Sequence, residues 1–188
     1  IEKYELLIRI PKPNFNEPPF IYFNKIAGFN FDGTLVKPKD DITYQSLDDW
    51  ELFSPKVISK LESLHIDEYS IVIFSNLDIN KNQNTRENLK HRFDKFCELL
   101  FVKRIPIIGI FSMNNEVCRK PHTGMWHILC KLYKHNRYPR PNEEISIFVG
   151  NLAGRSATKK DSVHGKHIKD SGYEDRSFAW NLRLKFYT

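Results

Sequence analysis

Residues 25–35 read KIAGFNFDGTL, an apolar stretch that runs directly into a polar turn. An apolar stretch this short, closed by an Asp-Gly pair, predicts a buried β-strand followed by a tight turn. Three more stretches of similar length and composition follow along the chain, and each predicts a further buried strand. They are YSIVIFS at 69–75, IPIIGIF at 105–111 and ISIFVG at 145–150.

Segments with helical spacing of apolar residues separate these strands, at about 54–64, 85–100 and 123–133. Strands that alternate with helices of this length favour a parallel sheet with right-handed crossovers and helices on both faces. The sequence therefore predicts an α/β fold with a doubly wound, Rossmann-like parallel sheet. We expect one domain, 25–188, with residues 1–24 forming an N-terminal hairpin or loop packed on it.

Composition excludes several classes of protein. The chain has 188 residues, of which 40% are apolar, so it is long enough to bury a core and is not disordered over most of its length. Its apolar runs are too short to cross a membrane, and its first residues lack the pattern of a secretory signal. Three cysteines match neither a disulfide framework nor a zinc module, which predicts reduced thiols. We expect burial for all three tryptophans, Trp50, Trp126 and Trp180.

The net charge is +6, with 29 Lys and Arg against 23 Asp and Glu. Basic residues concentrate in two segments, which indicates either polyanion binding or an ordinary solvated surface. The first segment contains Lys131, Lys134, Arg137 and Arg140, and the second contains Lys159, Lys160, Lys166 and Lys169.

The ends of the predicted strands are where chemistry is expected. In open parallel sheets, ligands bind outside the carboxyl ends of the strands. The polar residues that follow the four strands should therefore converge on one crevice. They are 30–34 after the first strand, Ser75 and Asn76 after the second, 119–121 beyond the third, and Gly150 and Asn151 after the fourth.

The stretches FNFDGTL, IFSN, RKP and FVGN, in this order, resemble the four motifs of the haloacid dehalogenase phosphatase superfamily. More narrowly, the chain from about 25 to 186 resembles the phosphatase domain of the polynucleotide kinase/3′-phosphatases. The stretches that carry this resemblance are LDDWELFSPKVISKL, VCRKPHTGMW, IFVGNLAGR and DRSFAWNL. The phosphate-binding loop of a kinase, GxxxxGK[ST], does not occur in the sequence.

Two positions depart from the family pattern. The resemblance implies an aspartate nucleophile at the position of Asn30 and a magnesium-binding aspartate at the position of Asn151. An amide is a much weaker nucleophile than a carboxylate and brings no charge to bind a cation. We therefore expect neither a covalent phosphoryl intermediate nor a bound cofactor in this chain, although active relatives use Mg²⁺.

Other family positions are retained. The resemblance implies an acid/base role for Asp32, a phosphate-binding hydroxyl at Ser75 and a phosphate-neutralising ammonium at Lys120. It also implies phosphate contacts from Gly33, Thr34 and Asn76. Loss of two carboxylates beside Lys120 should favour binding of an anion without metal. Asp170 and Asp175 remain as alternative metal ligands, and we expect Arg155, Lys159 and Lys160 to contact nucleic acid.

The expected function is that of a catalytically inactive phosphatase domain that binds DNA ends or another protein in genome maintenance or chromosome biology. The alternative is a DNA 3′-phosphatase of strand-break repair in an inactive Asp-to-Asn form. Weak activity that uses Asp170 or Asp175, and a scaffold without affinity for nucleic acid, also stay open. We expect a nuclear or cytoplasmic protein that belongs to a larger chain or complex and does not bind membranes.

Overall fold

The computed structural model describes residues 6–10, 20–40, 44, 46–77, 86–113, 117–156 and 170–188. Within them, the chain forms eight strands, four α-helices and a short 3-10 helix, Glu143–Ile145. The helices are α1 (Val57–Ile66), α2 (Arg86–Phe101), α3 (Gly124–His135) and α4 (Glu174–Asn181). The strands are β1 (Leu6–Arg9), β2 (Lys25–Phe29), β3 (Val36–Lys37), β4 (Glu51–Leu52), β5 (Tyr69–Asn76), β6 (Ile107–Ser112), β7 (Ile147–Val149) and β8 (Lys185–Tyr187).

The main sheet has six strands in the order β1-β6-β5-β2-β7-β8. Five of them are parallel, and β1 pairs antiparallel with β6 at one edge. The doubly wound α/β prediction is confirmed. In the described part of the predicted N-terminal hairpin or loop, β1 takes its backbone partner from β6, a strand distant in sequence. Strands β3 and β4 form a separate antiparallel pair.

Side chains that alternate along the central strands fill two apolar layers. In β5, Ile71 and Ile73 pack on the face covered by α1 and α2, while Val72 and Phe74 pack on the face covered by α3 and α4. This alternation follows from the two-residue period of a strand. Both faces of the sheet are covered, which agrees with the uninterrupted apolar run of 71–74 in the middle of β5.

The tryptophans do not share one environment. Trp126 on α3 is buried, and Trp50 packs partly buried against the core. Trp180 on α4 is 81% exposed, so its predicted burial is wrong. The pattern DRSFAWNL places Phe178 and Ala179 on the covered face of α4, and the next residue turns outward. No helix among the described residues is long and apolar enough to span a membrane.

Strand register sets the positions of the polar strand ends. Phe29 of β2 lies opposite Ile73 of β5 on one side and Val149 of β7 on the other. The next residue, Asn30, continues the pairing by donating its backbone N–H to the oxygen of Val149 at 2.9 Å. The carboxyl ends of β2, β5 and β7 therefore lie side by side at one edge of the sheet.

Phe31 anchors the turn that follows β2. Its buried ring contacts three phenylalanine rings, those of Phe93, Phe96 and Phe111, with centroids 5.6–5.8 Å apart. We expect Phe31→Ala to lower the free energy of unfolding by about 3–5 kcal/mol, because it leaves a cavity in a packed core. The half-exposed Phe53 is the matched control, and Phe53→Ala should cost far less. Equal losses in urea denaturation of the two variants would contradict this assignment.

Candidate functional site

Five polar side chains meet at the carboxyl edge of the sheet, and we call this cluster the crevice. Four of them lie at the predicted strand ends or motif positions, which the structure brings together as expected. The fifth comes from the first turn of α4. The five residues are Asn30, Ser75, Lys120, Asn151 and Asp175.

The side chain of Asn30 lies at the centre of the crevice. Its Nδ2 donates to the backbone oxygen of Asp32 and to Oδ1 of Asn151, each at 2.8 Å. Its Oδ1 accepts hydrogen bonds from Ser75 Oγ and Lys120 Nζ, each at 2.9 Å. An amide has two donor hydrogens and an oxygen with two lone pairs, so every hydrogen-bonding group of Asn30 is used within the protein.

The amide oxygen of Asn151 is also saturated. It accepts from Asn30 Nδ2 and, at 3.2 Å, from Thr34 Oγ1. The Nδ2 of Asn151 lies against Gly33, whose backbone has φ of 76°. A Cβ at this glycine would approach that nitrogen to 2.8 Å, so the turn fits only a residue without a side chain.

Lys120 is buried, with a side chain 1% exposed. Its ammonium contacts Asp175 Oδ1 at 2.5 Å in addition to the oxygen of Asn30. Burial lowers the pKa of Lys120, and the charge of Asp175 opposes this effect. The sequence predicted a cation available to an anion, whereas the structure gives this cation a carboxylate partner that is itself fully buried.

Asn76 positions the backbone of Lys120. Its Nδ2 donates to the oxygen of Lys120 at 3.0 Å, and its Oδ1 accepts the backbone N–H of Lys120 at 2.8 Å. The side chain of Asn76, at the end of β5, therefore makes the pair of hydrogen bonds to the Lys120 backbone that a neighbouring strand would make. The sequence predicted a phosphate contact for Asn76, and the observed contacts give it a positioning role.

Asp32 lies beside the crevice and is engaged by two residues that the sequence did not single out. Its Oδ1 accepts from the hydroxyl of Tyr44 at 2.6 Å, and Arg92 NH2 lies 3.4 Å from both carboxylate oxygens. The guanidinium also stacks over the ring of Tyr44, 3.7 Å from its centroid. Burial, followed by the charge of Asp32, raises the pKa of Tyr44.

A sequence signal for Arg92 was present. Leu89, Phe93, Phe96 and Leu100 form the buried stripe of α2, and Arg92 occupies a position in the same stripe. A cation at a core-facing position is rarely buried without a charged partner. Tyr44 carried no comparable signal, because it lies outside the strands and helices that the sequence predicts.

The remaining acidic candidate, Asp170, binds Arg155, whose guanidinium also donates to the backbone oxygen of Asn151 at 3.0 Å. Its carboxylate accepts from the guanidinium at 2.9–3.1 Å and from the backbone N–H groups of Ala153 and Arg155. Burial would raise the pKa of Asp170, but these hydrogen bonds lower it below its ordinary value. The predicted nucleic-acid contacts Lys159 and Lys160 lie outside the described residues.

Comparisons with known proteins agree with this fold and show the family of the chain. A family model described as polynucleotide kinase 3 phosphatase matches residues 25–188. The chain is 32% identical over 166 residues to a 20.8 kDa protein of Autographa californica nuclear polyhedrosis virus, which covers 87% of this chain and 82% of the viral protein.

Two named enzymes are similarly related. Polynucleotide 3′-phosphatase ZDP of Arabidopsis thaliana is 32% identical over 179 residues, and the bifunctional polynucleotide phosphatase/kinase of Schizosaccharomyces pombe is 31% identical over 173 residues. Each match covers 87% of this chain, but only 23% of the plant enzyme and 36% of the yeast enzyme. The chain thus spans a minor part of either enzyme.

Solved structures support the fold alone. A protein of Mesorhizobium loti described as HAD-like phosphatase superposes with a TM-score of 0.58 at 13% identity, covering 97% of this chain and 93% of that one. D,D-heptose 1,7-bisphosphate phosphatase of B. bronchiseptica, solved with magnesium and phosphate, gives a TM-score of 0.53 at 18% identity, with coverages of 68% and 70%.

The crevice does not fit the magnesium ion that its resemblance to active phosphatases implies. Both amide oxygens at the family's metal positions, Asn30 and Asn151, already accept two hydrogen bonds each. The nearby carboxylate of Asp175 is bound to Lys120 and to the backbone N–H of Leu152. Among the described residues, no group of three His, Cys, Asp or Glu side chains is arranged to hold a metal.

The ion pair of Lys120 and Asp175 should dominate the stability of the crevice. We expect Asp175→Asn to lower the free energy of unfolding by about 3–5 kcal/mol, because it leaves a buried ammonium without its counter-charge. The additional change Lys120→Met should recover part of this loss. The control is Asp94→Asn, which removes the partly exposed pair with Arg9 and should cost about 1 kcal/mol or less. Similar losses for the two single variants in chemical denaturation would contradict the burial of the pair.

Proposed function

Because the chain belongs to the polynucleotide kinase 3 phosphatase family, we propose that it is a catalytically inactive member whose crevice binds a terminal phosphate of DNA without hydrolysing it. We further propose that this binding serves genome maintenance in the nucleus, as part of a larger protein or complex. The alternative within this proposal is that the same domain binds a protein partner instead of a DNA end.

The hydrogen bond between Asn30 and Asn151 carries the proposal. Family resemblance assigns the nucleophile to position 30 and a metal ligand to position 151, and both positions are amides here. An amide oxygen that already accepts from Ser75 and Lys120 has no lone pair directed at a phosphorus atom. The covalent route of the family therefore lacks its attacking group.

Electrostatics supports the same conclusion. Two carboxylates about 4 Å apart repel by about 4 kcal/mol at an effective dielectric constant of 20, and a divalent cation between them removes that cost. In this chain the two amides bond directly to each other at 2.8 Å, so they need no cation to lie together. The pairs of Lys120 with Asp175 and of Arg92 with Asp32 balance the remaining charges.

Several donors around the crevice fit a bound phosphate. Lys120 has three ammonium hydrogens, and two of them are used by Asn30 and Asp175. The backbone N–H groups of Phe31 and Asp32, in the turn after β2, donate to no group among the described residues. Oriented backbone N–H groups in a turn form a favourable concave site for an anion. Since Lys120 is charge-balanced, these dipoles would supply much of the attraction.

The second candidate is a DNA 3′-phosphatase in an inactive Asp-to-Asn form. It is favoured by the intact surroundings of the two amides, because Ser75, Asn76, Lys120 and Asp175 all keep ordered contacts. In this case the two amides would be the sole chemical obstacle to turnover.

Phosphate release separates the two candidates. We expect the unmodified chain to release no phosphate from a 3′-phosphorylated oligonucleotide in the presence of Mg²⁺, measured with a colorimetric phosphate assay. The double variant Asn30→Asp/Asn151→Asp restores both family carboxylates, and turnover by it would favour the second candidate. Release by the unmodified chain that requires Mg²⁺ would sink the proposal of inactivity.

Binding of the terminal phosphate is tested without Mg²⁺. We expect an oligonucleotide with a 3′-phosphate to bind more tightly than the same strand with a 3′-hydroxyl, by fluorescence anisotropy at about 50 mM salt. A bound phosphate would take the hydroxyl hydrogen of Ser75 from Asn30 Oδ1, so Ser75→Ala should reduce the difference by about three- to tenfold, the usual worth of one hydrogen bond. The exposed Ser59→Ala is the matched control and should leave it unchanged. Equal affinity for the two ends would assign the crevice no role in phosphate binding.

A further inference from the structure

A basic surface lies on the opposite side of the domain from the crevice. Helix α3 begins four residues after Lys120, on the side where the parallel strands end. Its 12 residues rise about 18 Å from the first to the last, so its carboxyl end lies on the side where those strands begin. There the chain forms a hollow of about 550 Å³, which we call the α3 groove. The groove is lined by Cys130, Lys131, Lys134, Arg137, Tyr138 and Arg140.

The four cations of the α3 groove lie in a segment without acidic residues. The segment 130–140 reads CKLYKHNRYPR and contains no Asp or Glu. None of its lysines and arginines takes part in an ion pair within the described residues. Other exposed cations do so, such as Lys95 with Glu98 and Lys103 with Glu62. Glu143, the first acidic residue after the segment, accepts a hydrogen bond from Trp126 and forms no ion pair with these cations in the described part of the chain. Four neighbouring positive charges without a direct ion pair repel one another, and a bound polyanion removes that cost.

Packing holds the wall of the groove in place. The ring of Tyr138 lies 4.6 Å from that of Tyr22 and 5.5 Å from that of Tyr133, measured between centroids. The turn between α3 and Tyr138 is fixed by backbone hydrogen bonds, from Arg137 to Lys134 and from Tyr138 to Tyr133. Arg137 adopts φ of 59° in this turn. A wall that is already ordered loses little conformational entropy when a ligand binds.

We propose that the α3 groove binds the phosphodiester backbone of a nucleic acid, independently of the chemistry of its ends. Two arginines provide planar forks that match phosphate oxygens, and two lysines one helical turn apart add point charges. The exposed lining offers charged groups and one half-buried tyrosine, which suits contacts to the backbone and not readout of bases. DNA and RNA share this chemistry, and the experiment distinguishes them.

The test uses duplexes of DNA and of RNA with 3′-hydroxyl ends, so that the terminal phosphate plays no part. We expect the unmodified chain to bind with a logarithmic salt dependence. The variant Lys131→Ala/Lys134→Ala/Arg137→Ala/Arg140→Ala should bind at least tenfold more weakly at about 50 mM salt, with the slope reduced by about 3–4 for four lost phosphate contacts. The duplex with the larger loss identifies the preferred nucleic acid.

The matched control removes the same number of charges from the opposite face of the sheet. Lys56, Lys60, Lys95 and Lys103 are all exposed and lie on or beside α1 and α2. Their fourfold replacement by Ala should leave affinity and slope close to those of the unmodified chain. Equal effects of the two fourfold variants would show a general charge effect and overturn the proposal.

Lysine footprinting provides a second test that needs no variant. Bound duplex should protect Lys131 and Lys134 from acetylation, whereas Lys95 and Lys103 should react as before, as followed by mass spectrometry. Absence of protection at saturating duplex would overturn the proposal, and so would tighter binding of polyglutamate than of either duplex. Because both duplexes end in 3′-hydroxyl groups, failure of this binding is distinguishable from failure of the crevice to bind a terminal phosphate.

Discussion

The buried ammonium of Lys120 is the interaction on which the crevice depends. It contacts Asn30 at the end of β2 and Asp175 at the start of α4, and Asn76 at the end of β5 binds its backbone. Removing a charge from water costs several kcal/mol unless partners surround it. The strand order that brings β2 beside β5, and the closing helix α4, must therefore both be in place for this lysine to be buried.

Charge balance explains how this family fold can accommodate amides at positions 30 and 151. Lys120 and Asp175 form one balanced pair, and Arg92 and Asp32 form another. Carboxylates at 30 and 151 would add two negative charges and would require a cation. With amides, donors and acceptors match within the crevice itself. Amides at these two positions therefore join the strand ends by direct hydrogen bonds and add no charge to the crevice.

The sequence predicted the central strands well because each is a short apolar run closed by a polar turn, and β2 and β5 begin and end within two residues of the expected positions. It also placed Asn30, Ser75 and Lys120 together. It did not predict that β1 pairs with β6, since an edge strand's partner depends on contacts distant in sequence. Nor did it predict the partner of Lys120, because Asp175 lies 55 residues away and the amphipathic pattern of α4 is short.

The direction of the strands and helices gives the crevice and the α3 groove different properties. At the crevice, cations are buried and paired, so any anion there competes with Asp175 for Lys120. At the far end of α3, the last carbonyl groups and the negative end of the helix dipole favour cations without neutralising them. A polyanion in the α3 groove would therefore meet cations that form no ion pair in the described part of the chain, and it would bind with strong salt dependence. Because the two sites lie at opposite edges of the sheet, a nucleic acid held by the groove would leave the crevice open to a second segment. Tethering of this kind raises the effective concentration of that segment and can compensate for a weak individual contact.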